Sequence, residues 1–325
     1  MKACIIGLGN IATVHACVLN EQGIEIVDVC DVNENNAKSF MDKYCPSANL
    51  HTDYKECIKN TTADVIHITT PHYLHKDMTV FALNLNKNVL CEKPLCITLD
   101  QLDEILTAEK NSKAKLGVCQ QNRFNQASIL LKKSIKDKKI KSAYGNLDWY
   151  RGENYYKSSD WRGRKDREGG SVMINQALHT LDIMQWLLGM PQYCVAETCN
   201  LMHKGIIDTE DTATAVFLGE NPFHFYASLN ARTDHPINVS IETEDGDKYL
   251  MSGNDLFLNG QKLDTSCSVK AYGKSCYGSG HYKILQNFYD CVKMDANFEI
   301  DGQEAGKVVK LILAVYNSKG EKVKV

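Results

Sequence analysis

The chain lacks any apolar run long enough to cross a membrane. Its opening residues, "MKACIIGLGNIA", carry one lysine, a short apolar run and then glycines, which is too early an interruption for a secretory leader. It has 13 cysteines but no CxxC pair and no Cys/His spacing of a zinc site, so neither a disulfide framework nor a structural zinc is expected. Charge of one sign is also lacking: 37 basic and 40 acidic residues leave a net −3, and no basic tail or stripe stands out. The densest lysine run, "LLKKSIKDKKIKS", reads as the wet face and exit of one helix. Binding to nucleic acid or to a membrane surface is therefore not expected. Repeats, low-complexity segments and Gly/Ser-rich linkers are missing too, so the two domains suggested by 325 residues should pack closely. Cys4, Cys30, Cys91 and Cys119 sit inside apolar strand-like runs, as reduced, partly buried thiols of a cytoplasmic protein would.

What is present is alternation. The strand-like runs "KACIIG", "EIVDVCD", "ADVIHITT", "NVLCEKP" and "AKLGVCQQNRF" are separated by helical stretches, among them one with Asn33 or Asn35 as its cap and one capped by Thr98. This order predicts an α/β domain over residues 1–121, with a parallel sheet covered on both faces. Beyond a boundary near Gln120–Phe124 the pattern changes. A helix and the strand "SAYGNLDWYRGE" come first, and strand candidates then follow at 193–203, 210–219, 222–231, 236–243, 247–251 and 255–258, separated by short turns. Two helices and a strand-like "EKVKV" end the chain. Residues 122–325 thus read as an α+β domain with one large, mostly antiparallel open sheet.

The turn "IIGLGNIA" places Gly7, Gly9 and Ala12 between a strand and a helix, the G-x-G-x-x-G/A form. Gly7 would make the tight turn, Gly9 would let a pyrophosphate approach, and Ala12 would let helix and sheet pack. Asn10 and Ile11 open the helix whose free N–H groups would face the phosphates. Asp31 ends the second strand, about 20 residues on, where it would hold the ribose hydroxyls of NAD and repel the extra phosphate of NADP. The blander reading is a plain turn and a solvated strand end. After the third strand, Thr69, Thr70 and Pro71 would line the cofactor crevice. His72 and His75 are three apart; with no third ligand evident, no metal is assigned, and a buried or cofactor-facing His75 is the expectation.

Two further segments carry chemistry. In "CEKPL", Glu92, Lys93 and Pro94 close the fourth strand, and proline biases Lys93 toward an extended backbone. That lysine is either solvated or a proton acceptor at the crevice, with Glu92 tuning it. In "GGSVMINQALHTLDIMQWLLG" most positions form an apolar helical stripe, yet Asn175, His179 and Asp182 recur on one face. That face meets either solvent or a pocket.

Together these motifs resemble the glucose–fructose oxidoreductase / inositol dehydrogenase / MocA family, over nearly the whole chain. The resemblance implies a Rossmann domain binding NAD(H) or NADP(H), a second α/β domain with an open sheet, and a sugar, cyclitol or related polyol held between them. It also implies a homodimer or homotetramer through that sheet. Carried onto this chain, it makes Lys93 and His179 the catalytic pair, either being the immediate base, with Asp182 a support or substrate contact. Asn175 departs from the aspartate of inositol dehydrogenases and carries no charge, which points away from inositol and toward hexose derivatives such as uronates, amino sugars or nucleotide sugars. The loop residues Tyr155, Tyr156, Trp161 and Arg162 either cover nicotinamide and substrate or merely anchor the loop. Arg123 contacts the cofactor or forms an interdomain salt bridge, and His281 reaches the site or starts a helix. The expected activity is NAD-dependent oxidation of a carbohydrate secondary alcohol. Its rivals are an enzyme that recycles a tightly held NAD within one cycle and a non-catalytic NAD-bound sensor.

Overall fold

In the computed structural model, residues 1–274 and 277–325 are described; Cys276 of the expected thiols lies outside them. The chain forms two compact units: Met1–Gln121 with Val269–Gly306, and Asn122–Ser268 with Lys307–Val325.

The first unit is built on strands β1 (Lys2–Ile6), β2 (Glu25–Cys30), β3 (Asn49–His51), β4 (Val65–Ile68), β5 (Asn88–Cys91) and β6 (Leu116–Val118). They lie in the order β3-β2-β1-β4-β5-β6, and every pairing is parallel. The strands are near-continuous Val, Ile, Leu and Cys because helices cover both faces. Those helices are α1 (Asn10–Glu21), α2 (Glu34–Tyr44), α3 (Tyr54–Asn60), α4 (His72–Asn84) and α5 (Leu99–Asn111). Asn33 caps α2 by accepting from the N–H groups of Asn35 and Asn36, and Thr98 caps α5 through Gln101 N–H. The sequence pattern misses β3, since three residues are too few to show a period.

In the second unit, strands β7 (Ile140–Asp148), β8 (Tyr193–Cys199), β9 (Thr212–Leu218), β10 (Phe223–Ser228), β11 (Asn238–Thr243), β12 (Lys248–Ser252), β13 (Asp255–Leu258), β14 (Gln261–Lys262) and β15 (Val323–Lys324) form one sheet. The order is β14-β13-β12-β11-β7-β10-β9-β8-β15, antiparallel except for the central β7–β10 pair. Burial alternates along β9 and β11, which marks a sheet with one packed and one open face. Helices α6 (Gln126–Ile135), α7 (Glu153–Lys157) and α8 (Leu178–Leu188) belong to this unit. A Cβ at Gly145 of β7 would stand 3.0 Å from Met184 Cγ, so the missing side chain lets α8 lie close on the sheet.

Two sequence expectations need revision. The stretch 122–325 is not one continuous domain, because α9 (Gly280–Lys293) returns to the first unit and α10 (Gly302–Ser318) starts there. The cause is the apolar face of α9: Ile284, Leu285 and Phe288 are fully buried, and a Cβ at Gly117 of β6 would stand 2.6 Å from the Phe288 ring. The helix expected over 169–189 also begins differently, with a π-helical turn at Val172–Ala177 before α8. The buried Glu210 carboxylate accepts the N–H groups of Ser171 and Met173, both at 3.0 Å, and so takes over part of the usual terminal hydrogen bonding.

Candidate active site

The first unit offers a cradle at the carboxyl ends of β1, β4 and β5, which are neighbours in the sheet. Gly7 has φ +86°, and a Cβ there would lie 2.6 Å from Thr70 Cγ2 and 2.9 Å from Thr70 backbone atoms, so only glycine fits. At Gly9 an added Cβ meets nothing within 4 Å, which leaves open space above the turn. Gly9 is also the N-cap of α1 and provides no side-chain cap, so the first-turn N–H groups keep their capacity for an anion. Asn10 is exposed, Ile11 half-buried, and Ala12 packs fully inside. Asp31 is fixed beside the turn, accepting Leu8 N–H and Asn33 N–H at 2.8 Å each. Open space, unclaimed helix N–H groups and a carboxylate at the end of β2 are the features a dinucleotide requires.

The loops after β4 and β5 are tied to this turn. Thr69 donates its hydroxyl to Gly7 O at 2.6 Å, while Thr70 and Pro71 are half-buried. His75 is fully buried, with Nδ1 2.7 Å from Pro94 O and Nε2 2.8 Å from Thr70 O. It thereby bolts one loop to the other. Burial pulls its proton affinity down, against the pull of the two carbonyls. Both ring nitrogens are committed, which removes the metal pair with His72 from consideration. Lys93, half-buried, follows β5, and its N–H donates to Glu92 Oε2 at 3.2 Å.

Beneath Lys93 lies a polar cluster of which sequence reasoning named Glu92 and His281 but missed the contacts with His15, His67 and Tyr289. Glu92 is 4% exposed and meets His15 Nε2 at 3.0 Å. His15 Nδ1 is 2.8 Å from His67 Nδ1, and His67 Nε2 is 2.8 Å from the Tyr289 hydroxyl. Burial pulls the Glu92 carboxyl up, but the His15 hydrogen bond and the charges of His15, His281 and Lys93 outweigh it and bring it to about 2. His281, read as reaching the site or starting a helix, lies in the first turn of α9, 1% exposed, with Nε2 3.9 Å from Glu92 Oε1. Burial pushes it down to about 4. The signal available in the sequence was an imidazole on the apolar face of "TVHACVL" and another inside the strand "VIHI". His15, Glu92 and Cys119 are close enough to suggest a cation site. The 3.0 Å His15–Glu92 separation, however, is a hydrogen bond, shorter than the roughly 3.3 Å between ligands around a tetrahedral zinc.

In the second unit the polar stripe is divided. Asp182 and Arg123 form a buried pair, with Nε 2.8 Å from Oδ2, and Arg123 also reaches Gln185 Oε1 at 3.2 Å. The pairing agrees with the support reading of Asp182, and Arg123, read as a cofactor contact or an interdomain salt bridge, forms its salt bridge within this unit. Asn175 donates to Tyr155 Oη at 3.2 Å and to Glu168, a fully buried acid that the sequence reading overlooked. Burial pushes Glu168 up to about 7, against the donors Gly163 N–H and Asn175. His179 stays partly exposed on α8. In the loop, Tyr156 is an anchor: it is 3% exposed, with its hydroxyl 3.1 Å from Ser171 Oγ. Arg162 lies over the Tyr155 ring at 4.5 Å and near the Trp161 ring at 5.4 Å, and its Nε is buried without a hydrogen-bond partner.

Comparison with known proteins adds three findings. Residues 1–120 match the family described as oxidoreductase family, NAD-binding Rossmann fold, and residues 139–247 match the GFO/IDH/MocA C-terminal domain. The inositol 2-dehydrogenase of Salmonella typhimurium is 31% identical over 191 residues, 58% of this chain and 54% of that protein. The D-glucoside 3-dehydrogenase of Escherichia coli is 27% identical over 199 residues, 59% and 55% of the two. The chain thus spans about half the length of the curated relatives it matches. Among solved structures, the WlbA dehydrogenase of Chromobacterium violaceum, in complex with NADH and UDP-GlcNAcA, superposes with a TM-score of 0.86 at 25% identity, covering 100% of this chain and 96% of that one. A levoglucosan dehydrogenase in complex with NADH and levoglucosan gives a TM-score of 0.88 at 17% identity, with 100% and 99% covered, a likeness of fold.

Proposed function

The chain belongs to the GFO/IDH/MocA oxidoreductase family, and from that premise we propose that it is an NAD-dependent dehydrogenase taking a hydride from a secondary hydroxyl of a sugar or sugar derivative. The observation that carries this reading is the meeting of three loops at neighbouring strand ends: the open glycine turn after β1, the Thr69–Pro71 segment after β4, and Lys93 after β5. Bound there, the nicotinamide supplies the hydride acceptor.

Asp31 selects NAD, since its carboxylate suits two ribose hydroxyls and opposes a phosphate. Lys93 takes the hydroxyl proton, and the role that the family resemblance gives His179 is to polarise the oxygen or relay that proton. Arg162 and Trp161 are the loop residues best suited to a substrate, a guanidinium for carboxylate or phosphate and an aromatic face for a pyranose. The names of the relatives support a carbohydrate or cyclitol, and the WlbA complex supports a nucleotide-sugar uronate as one member of the class.

A second copy of the chain covers the open face of the nine-stranded sheet in this reading. Val216, Tyr144, Leu250 and Phe257 fall in one cross-strand row there. The many free thiols suit a reducing, cytoplasmic setting. The test is NAD reduction across inositols, free hexoses, amino sugars, uronates and nucleotide sugars, repeated with NADP. Sustained release of NADH with one carbohydrate class is expected. Turnover with no member of the panel, or with NADP alone, contradicts the proposal.

A further inference from the structure

The buried cluster below Lys93 has a direction. Glu92, as a carboxylate, can only accept, so His15 Nε2 must carry the proton in their 3.0 Å contact. His67, kept neutral by burial, carries one N–H, so of its two contacts, with His15 Nδ1 and with the Tyr289 hydroxyl, it donates in one and accepts in the other. In every assignment that satisfies all three contacts, His15 Nε2 is the donor to Glu92. Two neighbouring shifts agree with it. Burial pushes the His67 imidazole well down, keeping it neutral, and pushes the Tyr289 phenol well up, keeping its proton. The chain therefore runs Tyr289 to His67 to His15 to Glu92 and ends one residue before the reactive lysine.

We infer that His15 is a positioning residue: held in place by His67 and Tyr289 with Nε2–H on Glu92, it keeps Glu92 as an ionised counter-charge beside Lys93, and so sets how tightly Lys93 holds its proton. The inference rests on the proposed role of Lys93 as proton acceptor. Few groups compete with His15 for this task. From α9, His281 faces Glu92 at 3.9 Å and is held neutral by burial. Beyond β6, the Cys119 thiol, pushed well up by burial, stands 3.9 Å from His15 Nε2. From β5 itself Cys91 is likewise raised by burial, and from α4 His75 is spent on Pro94 and Thr70. Without His15, burial dominates Glu92, which then takes up a proton. Lys93 would lose its negative neighbour and release its own proton more easily. The ascending limb of the pH–rate profile, where neutral Lys93 appears, would then move to lower pH.

The test uses the full chain with its best carbohydrate substrate and carbon-13 carboxyl-labelled glutamate. In the unaltered protein the Glu92 resonance should stay ionised down to about pH 3. In His15→Leu it should titrate at higher pH, and the ascending limb of kcat/KM should fall by about one pH unit. Glu92→Gln should move the limb the same way, adding His15→Leu to it should move it no further, and His15→Gln, which keeps a donor near the Nε2 position, should restore it. Should His15→Leu not fold, Tyr289→Phe reports the same step with a smaller shift. An ionised Glu92 and an unmoved limb in both variants would overturn the inference. So would a stoichiometric metal ion in the purified protein, since a cation would replace the proton between His15 and Glu92. Failure of the underlying reading looks different: Lys93→Ala would then keep the unaltered ascending limb, while the Glu92 resonance still responds to His15.

Discussion

The two units carry their polar groups in contrasting ways. In the first, the candidate cofactor and proton-handling groups sit at the ends of parallel strands, and the backbone places them: Gly7 by its dihedral, Asp31 by two N–H donors, Lys93 by its proline and Glu92. In the second, polar side chains hold one another, as Arg123 holds Asp182 across 59 residues and Glu168 holds Asn175 across seven. Buried imidazoles with lowered proton affinity, His67, His75 and His281, mark the first unit, and the buried carboxyls Glu168 and Glu210, with raised proton affinity, mark the second. A group placed by backbone tolerates side-chain changes around it, whereas a pair such as Arg123–Asp182, or Glu92–His15 beneath Lys93, fails when one partner goes.

The sharpest way to break this contrast is Asp182→Ala. It strands the Arg123 guanidinium in a buried position and should cost the second unit about 3–5 kcal/mol, read by urea unfolding, with the loss of hydrogen-exchange protection centred in residues 122–268. A loss below about 1 kcal/mol would show that the pair is dispensable. Gly7→Ala should come next, costing about 2 kcal/mol through its left-handed backbone and the Thr70 collision, and weakening NAD binding at least tenfold by calorimetry. Unchanged NAD affinity would remove the turn from the cofactor site.

The smallest effect is the most discriminating, because the two units should respond to pH with opposite sign. His67 and His281 have lowered folded values, so between about pH 4.5 and 6.5 the unfolded first unit binds protons that the folded one refuses, and stability is lost as pH falls. His75 acts in the same direction, and Glu109, raised to about 7 by burial, partly offsets them. Glu168 and Glu210 have raised folded values, so the folded second unit keeps protons that the unfolded one sheds, and stability is lost as pH rises through the same window. Each net proton contributes about 1.4 kcal/mol per pH unit. Hydrogen exchange resolved by unit, corrected for intrinsic rates, should give slopes of opposite sign; parallel slopes would erase the distinction.

The same contrast explains what could be read from the sequence. The alternation of apolar runs and helices gave nearly every long strand of the first sheet, and Gly7, Asp31 and Lys93 were legible because strand ends are local features. The strands of the second sheet were legible for the same reason, though the parallel β7–β10 pairing was not, since hairpin turns say nothing of strands that meet from afar. Asp182 was left open between support and substrate contact because its partner lies 59 residues away. Glu168 and the His15–His67–Tyr289 chain went unseen because periodicity assigns residues to faces without saying which buried polar groups meet. The π-helical turn depends on Glu210, a carboxylate far along the chain from the helix it opens.

The central claim is that Lys93 moves the proton in a nicotinamide-dependent oxidation. Lys93→Ala tests it most directly, by measuring NAD binding and single-turnover hydride transfer on the same preparation. The account predicts NAD affinity within about twofold of the unaltered protein and a transfer rate lower by about a thousandfold. A transfer rate within about threefold, with NAD still bound, would contradict it.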